Sequence, residues 1–202
     1  MSVRAIAALL TSLLLSLFLG NWFIKHIASQ NSFLSKPREW TPENHLKKNN
    51  TPTMGGLFIL MACAVNTFLW NNLTKINVWL FLFCLVGFGL IGFFDDWCKL
   101  RLSKGISARA KFSLQGLAAF VLMTAWYFLA SPTTELCVPF CKWVTPVLGI
   151  LIIPWGMFIL IGTSNAVNLT DGLDGLATGP LIASFTTFSA ISYLAGHKYL
   201  AY

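Results

Sequence analysis

The sequence predicts an all-α fold, a polytopic transmembrane helix bundle. Hydrophobic residues make up 56% of the 202 residues and charged residues 10%, whereas soluble domains carry about 25% charged residues. Runs of roughly 20 apolar residues, the length that crosses a bilayer as a helix, recur along the chain. These runs lack the strict alternation of membrane-barrel strands. We therefore predict about six helices in a single integral membrane domain, residues 1–202.

Six apolar runs define the predicted helices. The first follows Arg4, and we expect it to remain as a helix because Gly20-Asn-Trp is a poor signal-peptide cleavage context. The long connection 25–53 comes next, and Thr51 and Pro52 suit the cap and first turn of the second helix. The later connections are short, and their Asn, Pro and Thr content suits turns. The predicted helices cover residues 5–24, 54–73, 77–94, 112–130, 143–163 and 175–195.

Basic residues are unequally divided between the two sides of this bundle. Segments 25–53, 95–111 and 164–174 lie two apolar runs apart, so they share one side of the membrane. That side holds 10 of the 14 Lys and Arg residues, and cytoplasmic loops are enriched in both. We predict that this side is cytoplasmic. The basic residues on it are Lys25, Lys36, Arg38, Lys47, Lys48, Lys99, Arg101, Lys104, Arg109 and Lys111. No basic helix or stacking platform accompanies the net charge of +7, so a nucleic-acid partner is not expected.

Six of the seven acidic residues lie in the same three segments. Asp95 and Asp96 follow the third run, where the helix dipole disfavours each carboxylate by about 0.3–1 kcal/mol. Lys99 is spaced to pair with one of them. Mg²⁺, which binds one or two carboxylates together with substrate phosphates, would offset the remaining charge. The alternative is an Asp–Lys salt bridge at the membrane interface with no catalytic role.

The segment 164–174 repeats polar residues at a three-residue spacing. If it is helical, Asn168, Asp171 and Asp174 fall on one side of the helix. Gly172 and Gly175 leave room for a ligand or another backbone. The pattern predicts a site for an anionic, metal-bound substrate. The alternative is a glycine-rich helix start at which Asn and Asp serve as caps.

Lysines near two predicted helix starts add candidate phosphate contacts. Lys47 and Lys48 precede the second helix, whose N-terminus attracts phosphate through free amide groups and the positive dipole end. Lys111 lies at the start of the fourth. Both positions are equally compatible with ordinary starts of transmembrane helices.

Together these motifs resemble the polyprenyl-phosphate N-acetylhexosamine-1-phosphate transferase superfamily (glycosyltransferase family 4). The resemblance spans almost the whole chain, with four motifs in the family's order. They are the stretch from His45 to Gly56, Asp95-Asp96 with Lys99, Ser107 to Gln115, and Asn168 to Ala177. The forms Thr-Pro-Thr-Met-Gly-Gly and Asn-Leu-Thr-Asp-Gly-Leu favour the branch that acts in peptidoglycan synthesis.

The resemblance implies Mg²⁺-dependent phosphoryl transfer in the bacterial inner membrane, at the cytoplasmic face of the lipid bilayer. The donor would be UDP-N-acetylmuramoyl-pentapeptide and the acceptor undecaprenyl phosphate, giving lipid I and UMP for cell wall biogenesis. A homodimer is an implied assembly. Such transfer depends mainly on positioning and on neutralising phosphate charge, which a metal and lysines supply.

The resemblance also implies individual roles. Asp95 would be the base acting on the lipid phosphate, and Lys48 with Asp174 would hold the uridine. The implied catalytic residues are Asp95, Asp96 and Asp171. The implied metal ligands are Asp95, Asp96, Asn168 and Asp171. The implied substrate contacts are Lys48, Thr53, Lys99, Lys111, Asn168 and Asp174.

Two departures from the family pattern bear on activity. Asn50 stands where the family has Gly, and Asn tolerates positive φ better than most residues. The family has about ten helices, a further metal-site Asp and a histidine-rich loop, so we expect this chain to be truncated at its C-terminal end.

The alternatives are a transferase for a different UDP-N-acetylhexosamine and a non-catalytic membrane fragment. A transporter with a midplane charged site fits poorly, because the acidic residues lie at helix ends.

Overall fold

A computed structural model describes residues 3–28, 55–102, 105–136, 138, 143–171 and 175–196. Its α-helices are α1 (Val3–Ala28), α2 (Gly55–Trp70), α3 (Ile76–Leu102), α4 (Ala108–Ala130), α5 (Ile152–Thr170) and α6 (Thr178–Gly196). A 3₁₀ turn at Gly149–Leu151 precedes α5. Within these ranges the only β-type pairing is an isolated bridge between Glu135 and Val147. For the described residues, the all-α prediction with six helices is confirmed.

In the part of the chain that the structure describes, four helices have the length and apolar composition needed to cross a membrane. They are Val3–Trp22, Ile76–Leu102, Ala108–Ala130 and Gly149–Thr170. The helix α2 is also apolar but shorter, with 16 residues described. Large apolar side chains face outward along the bundle, as with Phe185 at 68% and Phe188 at 69% exposure. A bilayer accepts such a surface, and the chain is an integral membrane protein.

Consecutive helices pack against each other, in the order α1–α2, α2–α3, α3–α4 and α4–α5. Among the described residues few apolar side chains are buried, and Leu82, Ala119 and Leu122 are three of them. Small residues let backbones approach at the crossings: a Cβ at Gly89 would lie 2.5 Å from Leu60 Cδ1. Such small residues at helix contacts are typical of membrane bundles.

A polar contact joins α1 to α2. The Thr11 hydroxyl lies 2.6 Å from Asn66 Oδ1 and accepts a hydrogen bond from Trp70 Nε1 at 3.0 Å. Asn66 Nδ2 donates to the Ala62 carbonyl at 2.9 Å. Interhelical bonds of this kind stabilise membrane helix pairs by about 0.6 to 2 kcal/mol.

Two predicted helix bounds were wrong around the third connection. The third helix does not end at residue 94 but continues to Leu102, because backbone hydrogen bonding does not require apolar side chains. Lys99 and Arg101 in its last turn suit the negative end of the dipole. The fourth helix begins at Ala108 rather than 112, since Ser107 caps it by accepting from the Ala110 amide. The connection between α3 and α4 is therefore shorter than the predicted segment 95–111.

The fifth helix is displaced toward the C-terminus from the predicted 143–163. Gly149 has φ +53°, and the backbone before it pairs with residues 134–136, so the helix starts later. Pro154 is tolerated in its first turn. The helix then continues to Thr170, so Asn168 is inside it. The alternative of a capped helix start is wrong for residues 164–171, because they form the end of α5, and α6 starts only at Thr178.

Candidate functional site

Asp95 is a buried carboxylate at the junction of α3 and α4. Its side chain is 8% exposed, and its Oδ2 lies 2.8 Å from Lys99 Nζ and 3.3 Å from Lys111 Nζ. Its Oδ1 accepts the Ile106 amide hydrogen bond at 2.9 Å. Both carboxylate oxygens are therefore occupied by cationic or backbone donors. Burial of the charge is tolerated because it is paired and hydrogen-bonded.

Lys99 links the two adjacent carboxylates. Its Nζ lies 3.0 Å from Asp96 Oδ1 as well as close to Asp95. The side chains of Lys99 and Asp96 are each 42% exposed, so this part of the cluster faces the surroundings. The predicted pairing with one carboxylate is confirmed, and the structure extends it to both. Two carboxylates and two ammonium groups balance in charge within this Asp95 cluster, formed by Asp95, Asp96, Lys99 and Lys111.

The turn between α3 and α4 completes the site. Ser107 caps α4 and also accepts the Lys111 amide hydrogen bond at 2.9 Å, so the first turn of α4 presents Lys111 to Asp95. Gly105 lies against the carboxylate: a Cβ there would lie 2.5 Å from Asp95 Oδ1 and 3.1 Å from Lys99 Cε. Sequence reasoning identified Lys111 but missed Gly105 and Ile106. The sequence signal that could have identified this turn is Gly105, two residues before the capping residue Ser107.

Gly105→Ala is expected to lower the free energy of unfolding by about 1–3 kcal/mol, as overpacking does. The new Cβ would push against a buried, bonded oxygen and displace the Ile106 amide. Thermal unfolding of the protein in detergent measures the effect. Gly92→Ala on α3 is the matched control, because a Cβ there meets nothing within 4 Å and Ala favours helix over Gly. Equal melting temperatures for the two variants would contradict the role given to Gly105.

The predicted residues at the end of α5 are exposed. Asn168 lies in the last turn, and Asp171 is the C-terminal cap residue, with its amide donating to the Val167 carbonyl at 3.0 Å. The helix ends at Thr170, so the predicted helical spacing does not extend from Asn168 through Asp171. Gly175, at φ +84°, has a backbone conformation that does not continue a right-handed helix. Lys48, Thr53 and Asp174 lie outside the described residues.

The predicted metal ligands are only partly assembled in the described residues. No group of three or more Asp, Glu, His and Cys side chains within them is close enough to hold a metal ion. Carboxylate and amide oxygens are ligands that Mg²⁺ accepts, and Asp96, Asn168 and Asp171 offer them on accessible surfaces. Asp95 fits less well, since a metal would have to displace a lysine or the Ile106 amide. The Mg²⁺ site remains a prediction.

Two protein-family models match this chain over ranges that include the candidate site residues. Residues 78–202 match the model of glycosyl transferase family 4. Residues 48–60 match signature 1 of the phospho-N-acetylmuramoyl-pentapeptide-transferases. The first range contains the Asp95 cluster and the end of α5, and the second contains Lys48 and Thr53.

Curated relatives are similar along essentially the whole chain. A phospho-N-acetylmuramoyl-pentapeptide-transferase of Citrifermentans bemidjiense is 42% identical over 203 residues, covering 100% of this chain and 56% of the relative. One of Aquifex aeolicus is 41% identical over 199 residues, covering 98% of this chain and 55% of the relative. The chain thus spans about half the length of the curated relatives it matches.

Proposed function

The chain belongs to glycosyl transferase family 4, and we propose on that basis that it takes part in lipid I synthesis. It would transfer the phospho-N-acetylmuramoyl-pentapeptide unit from UDP to undecaprenyl phosphate, with release of UMP. The observation that carries the proposal is the 42% identity along the whole chain to relatives that bear the name of this activity. The Asp95 cluster supports it, because phosphoryl transfer requires positioned positive charge.

The lysines of the Asp95 cluster would bind phosphate oxygens. Lys99 is 42% exposed and Lys111 is 17% exposed, so Lys99 is the more accessible of the two to a substrate at the membrane surface. Asp95 holds both ammonium groups at one end of the bundle. A preorganised pair of cations stabilises developing phosphate charge without reorganisation during the reaction.

The acceptor phosphate needs little help to lose its proton. The second pKa of a phosphate monoester is about 6, so most of it is already ionised at neutral pH. The geometry of Asp95, with both oxygens occupied, supports a role in holding Lys99 and Lys111. The role of Asp95 as a base stays a prediction from the family resemblance.

Mg²⁺ would add charge neutralisation at the diphosphate of the donor. Its ligands would be oxygens of Asp96, Asn168 and Asp171, and Asp95 would remain with its lysines. We also propose that the bundle lies in the bacterial inner membrane and that the end carrying the Asp95 cluster is on the cytoplasmic side. The excess of Lys and Arg on that side supports this orientation.

UMP release from the purified chain in detergent tests the proposal. The reaction contains undecaprenyl phosphate, Mg²⁺ and either UDP-N-acetylmuramoyl-pentapeptide or UDP-N-acetylglucosamine. We expect release from the pentapeptide donor alone, and its loss when EDTA removes the metal. Release from UDP-N-acetylglucosamine would support a different sugar donor. If the folded chain releases no UMP from either donor, the proposed activity does not belong to this chain alone.

A further inference from the structure

Three polar side chains meet between α4 and α5 in the apolar part of the bundle. Gln115 is only 3% exposed. Its Oε1 accepts a hydrogen bond from Asn165 Nδ2 at 2.8 Å, and its Nε2 donates to Ser164 Oγ at 3.4 Å. Asn165 Nδ2 also donates to the Ile161 carbonyl of its own helix at 2.8 Å. Both ends of the Gln115 amide are therefore bonded to α5.

The contacts of this network determine how the two helices align. Gln115 meets Asn165, and further along the bundle a Cβ at Gly156 would meet Met123. Residue numbers rise on one helix as they fall on the other, so α4 and α5 are antiparallel. In this register Lys111, one turn before Gln115, lies level with residues 168–169 of α5. Lys111 binds Asp95, so the register brings Asn168 to the depth of the Asp95 cluster.

We propose that Gln115 and Asn165 are positioning residues that set the register of α4 against α5. They hold Asn168 and Asp171 at the depth of Lys111 and Asp95, so that both helices serve one phosphate-binding site. The inference rests on the proposed function for the meaning of that site, but the register itself is independent of it. Apolar side chains allow neighbouring registers of similar energy, whereas a buried polar pair is satisfied in one register only.

A role in stability alone is the competing explanation, and the chain contains a matched control for it. The contact of Thr11, Asn66 and Trp70 joins α1 to α2 by the same kind of hydrogen bonds. Its hydrogen bonds lie within α1 and α2. Asn66→Leu therefore reports what the loss of an interhelical hydrogen bond does in this protein away from the Asp95 cluster.

The decisive variant is the double substitution Gln115→Met with Asn165→Leu. Removing both partners leaves no buried amide of this pair unbonded, and such paired apolar replacement is often nearly neutral for stability. The single substitution Asn165→Leu is measured beside it. If the single variant does not fold, the double variant still tests the proposal.

The register is measured by pulsed electron paramagnetic resonance between spin labels on Leu129→Cys in α4 and Leu169→Cys in α5. These positions are 61% and 82% exposed, and the five native cysteines are replaced by alanine. The labels are separated by about 27 Å along the bundle axis, and a slip of one helical turn changes this by about 5 Å. UMP release gives kcat and KM for the same variants without labels.

We expect the double variant to keep a melting temperature close to the parent's. Its distance distribution should shift or broaden by about 5 Å, and its kcat should fall about tenfold, which corresponds to about 1.4 kcal/mol. Asn66→Leu should leave both the distance and kcat at parental values. An unchanged distance in the double variant, or an equal change in Asn66→Leu, would overturn the proposal. If the parent releases no UMP, the proposed function fails, and the distances alone decide the register.

Discussion

Asp95→Asn is expected to reduce UMP release about 100-fold or more, the scale seen when one preorganised electrostatic contact is removed from an active site. Asparagine has nearly the same shape but no charge, and its amide nitrogen would face ammonium groups as a second donor. Lys99 and Lys111 would lose the carboxylate oxygen that both contact. We also expect the free energy of unfolding to fall by about 2 kcal/mol, since a hydrogen-bonded charge is removed.

Asp96→Asn is the matched control for the stability part of this result, since Asp96 is itself a proposed metal ligand and its replacement is expected to affect activity as well. Asp96 is adjacent in sequence and undergoes the same chemical change, but it is 42% exposed and its contact with Lys99 is the one ion pair it makes among the described residues. We expect a smaller change in stability, within about 1 kcal/mol, as for exposed salt bridges. If Asp95→Asn retained parental UMP release per folded molecule, the cluster would be a structural salt bridge and the catalytic interpretation would be wrong.

Lys111→Met is expected to lower kcat for UMP release about 10- to 100-fold. Methionine keeps much of the apolar stem of the side chain, so packing changes little, while the ammonium group that contacts Asp95 Oδ2 at 3.3 Å is lost. The Asp95 cluster would then carry one excess negative charge close to the proposed phosphate site. Steady-state kinetics at saturating donor measure the change.

Arg109→Met provides the comparison on the same turn of α4. Arg109 is exposed and makes no ion pair among the described residues, yet its replacement removes the same unit of charge. We expect Arg109→Met to change KM at most modestly. This change in KM should disappear at high salt, because exposed charges are screened. Equal losses of kcat in the two variants would show that net charge, and not the position of Lys111, is what matters.

The local parts of the site were predictable because their spacing lies within one helix. Lys99 follows Asp95 by four residues and Asp96 by three, and these spacings bring side chains together on any helix. The predicted end of α3 was wrong because the helix was taken to stop where the charged residues Asp95 and Asp96 begin. An apolar run marks the part of a helix inside the bilayer, and the hydrogen-bonded helix continued two turns beyond it to Leu102.

The sequence by itself determined the helical class, the six helices of the described residues and the family, because apolar runs of membrane length admit few structures and the motifs are local. It also identified Asp95, Asp96, Lys99 and Lys111 as candidates. Only the tertiary structure showed that Lys111 and the Ile106 amide contact Asp95, that Gly105 lies directly against the Asp95 carboxylate, and that Gln115 bonds Asn165. Those contacts join residues 10 to 50 positions apart across turns and helix pairs. Their geometry depends on how the helices pack, which no spacing along one helix encodes.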